Sequence, residues 1–302
     1  MAIADLTLSK SHAGSWRRYY ELGKPKVVAL ILFTALVGML LSVPGMVPWH
    51  TMLFGLLGIG LAAASGAALN HVIDRRIDAV MDRTRNRPLP TGQLETQKAL
   101  VFAIAMGVVA MGILVLAVNV LTAVLTFFAL IGYAVIYTVF LKRTTPQNIV
   151  WGGLAGALPP LLGWVAVTGQ ITVEPLLLVL LIFVWTPPHF WALAIRRRED
   201  YARAGIPMLP VTHGVAFTKL QVLLYTLMLL TVSLVPFIIH MTGLIYLVGA
   251  LALGIGFVFH AYRLWRSPDD RYAMPTFGYS IFYLTAMFAL LLVDHYVRMM
   301  MA

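Results

Sequence analysis

The chain has 302 residues, of which 60% are hydrophobic and 11% charged, whereas soluble domains carry about 25% charged residues. This composition excludes an ordinary soluble protein, and a sequence without cysteine excludes disulfides, cysteine metal sites and thiol catalysis. The formal net charge is +10, and its distribution among the predicted loops indicates membrane topology, not nucleic-acid binding.

Apolar runs occupy most of the chain. Each is close to the length of about 20 residues that crosses a bilayer as a helix. We therefore predict an all-α integral membrane protein, a bundle of nine transmembrane helices in a single domain of residues 27–297, with tails at 1–26 and 298–302. The runs cover residues 27–43, 51–69, 99–118, 120–141, 149–167, 175–195, 220–240, 244–264 and 277–293.

The basic residues predict the orientation. All of them except Arg298 lie before the first run or at the connections that follow runs two, four, six and eight. By the positive-inside rule the N-terminus is inside, the C-terminus is outside, and the number of spans is odd. The first 25 residues lack the features of a signal or transit peptide, so we expect the bacterial cytoplasmic membrane.

Two of the inner connections are long, at about residues 70–98 and 196–219, whereas the outer ones are short and nearly uncharged. A purely structural bundle needs neither long loop. Both are therefore candidates for the chemistry of this protein.

The first long loop carries polar residues at intervals of four: Asn70, Asp74, Asp78 and Asp82. We predict that residues 70–86 continue the second span as a helix, on which a step of four residues turns by only about 40°. Neighbouring carboxylates on one helical face repel each other, and Mg²⁺ would neutralise them. Asp82 would lie about 18 Å along the axis from Asn70, so we predict the first three residues as the ligands. A solvated, merely charged loop is the alternative.

Basic residues near this row are suited to a phosphate ester. Arg76 is interleaved with the carboxylates, and Lys142 and Arg143 follow the fourth span beside Tyr137. Positive charge is expected at the inner end of a span in any case. A diphosphate at the bilayer surface would nevertheless need cations at this depth.

The second long loop contains Glu199 and Asp200, either of which could supply a ligand to a second ion. If the sixth span continues as a helix, Asp200 shares a face with His189, because 11 residues return to within about 20° of the starting direction. His189 follows Pro187-Pro188 at a depth where polar groups usually face a cavity. The alternative is a histidine that is hydrogen-bonded inside the bundle.

Four segments resemble signatures of the UbiA superfamily of intramembrane prenyltransferases, in particular those of its members that farnesylate haem B. The resemblance covers roughly residues 19–296. It departs from the family where many members carry Asp-x3-Asp in the second loop, because Asp200 is followed at the fourth position by Ala204. Glu199 and Tyr201 are candidates to compensate. The four segments are residues 70–88, 137–148, 156–164 and 188–210.

The resemblance implies a central cavity that opens to the cytoplasmic side. It implies farnesyl diphosphate and haem B as substrates, and Mg²⁺ at Asn70, Asp74 and Asp78 with a second ion at Asp200. The diphosphate would leave, the vinyl group of haem B would attack the allylic cation, and water would then give haem O. His189 is the candidate haem contact. The lipid bilayer and a downstream haem A synthase or oxidase are the other expected partners.

Two alternatives remain open from the sequence. A quinone-type enzyme that prenylates an aromatic acid would share the carboxylate site but would need no haem contact such as His189. An ion-coupled transporter would also carry acidic residues. Transporter sites usually lie near the membrane midplane, whereas the acidic residues here cluster at the inner face.

Overall fold

The computed structural model describes residues 15–301, which form helices and connecting turns without a β-strand. Most of the predicted N-terminal tail, residues 1–14, lies outside the described residues. The helices are α1 (Ser15–Leu22), α2 (Pro25–Leu41), α3 (Trp49–Val80), α4 (Thr96–Ala117), α5 (Val120–Ile131), the π segment (Gly132–Leu141), α6 (Lys142–Thr144), α7 (Asn148–Ala157), α8 (Pro159–Thr168), α9 (Val173–Arg196), α10 (Arg198–Arg203), α11 (Leu209–Thr212), α12 (Gly214–Ile238), α13 (Leu244–Arg266) and α14 (Ala273–Met301).

Eight helical stretches between residues 15 and 301 are long and apolar enough to cross a membrane. Two of them are composite: one runs from α5 through the π segment to α6, and another joins α7 to α8. A further candidate is the pair of α1 and α2, which is bent by 53° and makes the total nine if it is one span. The prediction of an all-α, multi-span membrane protein is confirmed.

The spans form a closed ring. Each one packs against its neighbours in the chain, and α14 returns to pack against α2. Spans that are not neighbours in the chain also contact each other: α2 packs against α8, α9 against α14, and α3 against α5, the π segment and α8. The contacts of α2 with α8 and of α9 with α14 contribute to one aromatic-rich hydrophobic core.

Glycine permits the contact between α2 and α8. A Cβ atom on Gly38 would overlap the carbonyl oxygen of Pro160, and one on Gly163 would overlap that of Ala35. Small residues allow such close approach of helix backbones in membranes. The span also breaks at Pro159-Pro160, because α7 ends at Ala157 and α8 begins at Pro159.

The π segment was not predicted from the sequence. Within it the Thr138 hydroxyl donates a hydrogen bond of 2.8 Å to the carbonyl of Tyr133, five residues earlier. The rings of Tyr133 and Tyr137 stack with centroids 5.8 Å apart. π-Helical turns are rare and often occur at functional sites, and this one lies against the inner half of α3.

Helix α3 ends at Val80, so the predicted helix over residues 70–86 is wrong beyond that point. Met81 has an extended backbone and a side chain buried in a hydrophobic cluster with Trp191. The Thr84 hydroxyl donates a 2.9 Å hydrogen bond to the carbonyl of Asp78, which satisfies one of the free carbonyls at the helix end. Asp82 therefore leaves the face that carries the other carboxylates.

The sixth span does not continue as one helix into the second long loop. Arg197 has non-helical backbone angles between α9 and α10, so His189, Arg196 and Asp200 do not share one continuous helical face. Arg196 is exposed, whereas Asp200 is buried. The turn at Arg197 directs Asp200 inward.

Candidate active site

The row of Asn70, Asp74 and Asp78 lies buried at the inner end of α3, with at most 6% of each residue exposed. The Asn70 amide donates 2.8 Å to the Asp74 carboxylate and 3.2 Å to the hydroxyl of Thr138 in the π segment. The predicted spacing thus places all three side chains inside the protein. Burying two carboxylates is costly unless cations compensate them.

Each member of this row contacts at least one basic side chain. The Lys24 ammonium donates a 2.7 Å hydrogen bond to the side-chain Oδ1 atom of Asn70, the Lys142 ammonium lies 2.5 Å from Asp74, and Arg87 lies 2.7 Å from Asp78. Arg143 is more distant, 3.7 Å from the second oxygen of Asp74. The row and its three cations form what we call the polar cluster: Asn70, Asp74, Asp78, Lys24, Lys142 and Arg87.

The sequence did not indicate Lys24 as a site residue. Arg87 is one of the arginines interleaved with the carboxylates, which are suited to a phosphate ester, but its pairing with Asp78 was not predicted. Lys24 precedes the helix-starting Pro25 with a left-handed backbone (φ 49°), which places it at the depth of Asn70. Arg87 lies nine residues after Asp78, in the turns that replace the predicted helix. Arg76, which was predicted to contact the diphosphate, is exposed. Its side chain makes no hydrogen bond or ion pair among residues 15–301.

The second loop places one carboxylate inside. Asp200 is 5% exposed, whereas Glu199 is exposed. Arg203 pairs with Asp200 and also lies 2.7 Å from Asp82, so it joins the two long loops. This contact holds the pKa of the Asp82 carboxyl below its usual value.

A divalent cation fits the first row if substrate phosphates complete its coordination. Between residues 15 and 301, no three His, Asp or Glu side chains gather closely enough to hold an ion on their own. Mg²⁺, however, is commonly bound by one or two carboxylates together with substrate phosphates. The Oδ1 atom of Asp74 is buried and has no hydrogen-bond partner in that part of the chain, so one ligand oxygen is available.

An apolar cavity of about 160 Å³ extends from the polar cluster into the membrane region. Lys24 and Tyr133 lie at its inner end, and Gly156 leaves space along one wall because nothing lies within 4 Å of a Cβ placed there. By helix rise, the lining extends about 10–12 Å along the spans. Such a site is suited to an apolar chain with an anionic head group. The deepest lining residues are Ile31, Ile59, Thr126 and Leu162.

His189 lies inside the ring, but it does not line this cavity. Its imidazole stacks between Trp185 and Phe277, with ring centroids 4.2 and 4.6 Å away. The Nδ1 atom is 2.7 Å from the Ser280 hydroxyl, which itself lies 2.6 Å from the Phe277 carbonyl. With the serine proton donated to that carbonyl, Nδ1 would donate to Ser280, and Nε2 would be the unprotonated nitrogen of a neutral ring.

A buried row of carboxylates, paired with cations at the mouth of an apolar cavity in an all-helical membrane bundle, is suited to binding a diphosphate ester. The chain belongs to the UbiA prenyltransferase family, whose model matches residues 31–292.

Among its relatives, the Protoheme IX farnesyltransferase of Nitrosococcus oceani is 60% identical over 97% of this chain and 98% of its own length. The protein of the same name from Marinobacter nauticus is 62% identical over 94% of each chain.

Solved structures share the fold at much lower identity. The digeranylgeranylglyceryl phosphate synthase is 18% identical, with a TM-score of 0.78 over 93% of this chain and 98% of its own. A UbiA homologue from Archaeoglobus fulgidus, bound to DMAPP and Mg²⁺, is 17% identical, with a TM-score of 0.64 over 91% of this chain and 99% of its own.

Proposed function

We propose that this protein transfers the farnesyl group of farnesyl diphosphate to a vinyl group of haem B and adds water, which yields haem O. The relatives that are about 60% identical over nearly the whole chain carry the name of this activity. The observation that carries the proposal is the buried polar cluster at the inner end of an apolar cavity. The polar cluster is suited to a diphosphate, and the apolar cavity is suited to a prenyl chain.

Asn70, Asp74 and Asp78 would hold Mg²⁺, which when bound supplies positive charge to the departing diphosphate. Lys142 and Arg87 then face the diphosphate oxygens instead of the carboxylates, and Lys24 contributes a third cation. Charge placed where it develops in the transition state is a major source of rate enhancement. Asp74 and Asp78 are thus the catalytic carboxylates in this proposal, and Arg143 and Tyr137 border the same site.

A second ion is proposed at Asp200. Its carboxylate is buried and now pairs with Arg203, which the ion would displace. The exposure of Glu199 favours Asp200 as the principal ligand.

The farnesyl chain would occupy the apolar cavity, with its reactive end beside Lys24. We expect Gly156→Val to raise the KM for farnesyl diphosphate several-fold more than that for geranyl diphosphate, because the added side chain takes up space in the cavity and its Cβ meets no atom within 4 Å. Gly112→Val is the matched control, since Gly112 has equally open surroundings and does not line the cavity. Equal KM changes for both diphosphates in the Gly156 variant would place the chain elsewhere.

The proposed activity is tested by pigment analysis. Membranes that contain this protein, supplied with haem B and farnesyl diphosphate, should yield haem O on extraction and mass spectrometry, and control membranes should not. Formation of a prenylated aromatic acid without haem O would instead favour the quinone-type activity.

We also propose nine spans with the N-terminus inside and the C-terminus outside, in the bacterial cytoplasmic membrane. The position of every basic residue except Arg298 supports this orientation, and the relatives cited above are bacterial. The polar cluster then opens to the cytoplasm. Haem O would be passed on to a haem A synthase or an oxidase.

A further inference from the structure

His71 has a buried imidazole that the proposed mechanism does not use. It is 3% exposed, and neither Nδ1 nor Nε2 has a hydrogen-bond partner in the described part of the chain. A buried polar group without a partner destabilises the folded protein, and such groups in native proteins call for a specific explanation. A polar ligand or a water molecule that joins His71 during the reaction is one.

His71 lies on α3 between the carboxylates of the polar cluster and the part of the helix that lines the apolar cavity. It is next to Asn70, and Asp78, seven residues on, lies within about 20° of its direction on the helix. One turn in the other direction is Ala67, which lines the apolar cavity. Lys24, Arg87 and Lys142, the three cations of the polar cluster, are among the charges that act on its ring. Along α3, His71 thus lies between the part of the helix that lines the cavity and the carboxylates of the polar cluster, although its own side chain does not line the cavity.

The reaction requires a water molecule at this junction. We propose that His71 binds the water that captures the cation formed on the former vinyl group of haem B, an inference that rests on the proposed function. A neutral imidazole offers one donor and one acceptor, and burial disfavours its charged form. A buried water needs two to four polar partners. One nitrogen of His71, unpartnered among residues 15–301, would supply the first, and an oxygen of the departing diphosphate would supply another.

The step balances as follows. The allylic C–O bond breaks and its electron pair leaves with the diphosphate, while the vinyl π electrons form the new C–C bond and leave a cation on the ring-attached carbon. A lone pair of the His71-bound water forms the C–O bond to that carbon. The released proton goes to the departed diphosphate, so the product carries a hydroxyl group and His71 ends unchanged.

Without a bound water, the same cation would lose a proton from the adjacent carbon and form an alkene. We expect His71→Phe to keep an aromatic side chain of similar size, to bind both substrates, and to release a product lighter by one water. The ratio of hydrated to dehydrated product should fall at least tenfold. His71→Gln, which retains a donor and an acceptor, should restore part of the hydrated product.

The products are separated by liquid chromatography and mass spectrometry, with isotope-labelled water to report oxygen incorporation. His295→Phe is the control, because the Nε2 atom of His295 is also buried and unpartnered in the described chain but belongs to the far end of α14. Its product should remain fully hydrated.

The inference is overturned if both His71 variants release hydrated product alone. It is also overturned if they release no product although both substrates still bind. Loss of farnesyl diphosphate binding in a folded variant also overturns it and makes His71 a diphosphate ligand. If the unmodified protein itself forms no haem O, the proposed function fails and the inference fails with it for that separate reason.

Discussion

Asp74→Asn should lower the rate of haem O formation by about 100-fold or more, the effect of removing one group that stabilises charge in a transition state. The substitution keeps the shape of the side chain and its hydrogen-bonding oxygen but removes the charge that binds Mg²⁺. The Lys142 ammonium, 2.5 Å away, would lose its counter-ion. We therefore expect a higher Mg²⁺ requirement as well as a lower kcat, measured in detergent with both substrates saturating.

The chain provides a matched control for this experiment. Asp82→Asn makes the same chemical change four residues beyond Asp78, but the Asp82 side chain is 50% exposed and pairs with Arg203 outside α3. Its activity and Mg²⁺ dependence should stay within about twofold of the unmodified protein, because exposed ion pairs contribute little. Near-normal, Mg²⁺-dependent activity of the Asp74 variant would exclude its role as a metal ligand.

The spacing of Asn70, Asp74 and Asp78 was sufficient to predict their common face, because the helical period is set by local backbone hydrogen bonds. The partners of these residues were not predictable in the same way. Lys24 reaches Asn70 across 46 residues of sequence, and Lys142 reaches Asp74 across 68. Those contacts depend on how α2 and the π segment pack against α3, which no local pattern specifies.

The helix predicted through Asp82 is absent for a different reason. The four-residue pattern continues through this residue, and the next proline in the chain is Pro88. The local sequence therefore favours a longer helix. Tertiary contacts end it instead, through the burial of Met81 and the hydrogen bond from Thr84 to Asp78. A polar pattern thus identifies candidate residues, but the packing of apolar neighbours decides which of them enter the site.

For His189 too, the sequence motif identified the residue, and only the structure shows what its imidazole contacts. Stacking between Trp185 and Phe277 fixes the plane of the imidazole. Ser280 contacts Nδ1, so a neutral ring that is protonated on Nδ1 has Nε2 free. Unprotonated Nε2 is the form that binds iron or accepts a hydrogen bond. We propose that this nitrogen contacts haem B and orients one vinyl group toward the allylic cation.

His189→Phe should therefore abolish haem O formation and remove the haem absorption shift seen on binding, whereas binding of farnesyl diphosphate and Mg²⁺ should persist. Phenylalanine keeps the aromatic stack but has no nitrogen, so the loss would be chemical and the thermal stability of the protein should change little. His260→Phe is the control, because His260 also stacks on a ring of α14, that of Tyr279 at 4.6 Å. If the His189 variant keeps an unaltered haem spectrum and its activity, the imidazole serves only to pack α9 against α14. Orientation of the porphyrin, which can account for a large part of a two-substrate rate enhancement, would then have to come from other residues inside the ring.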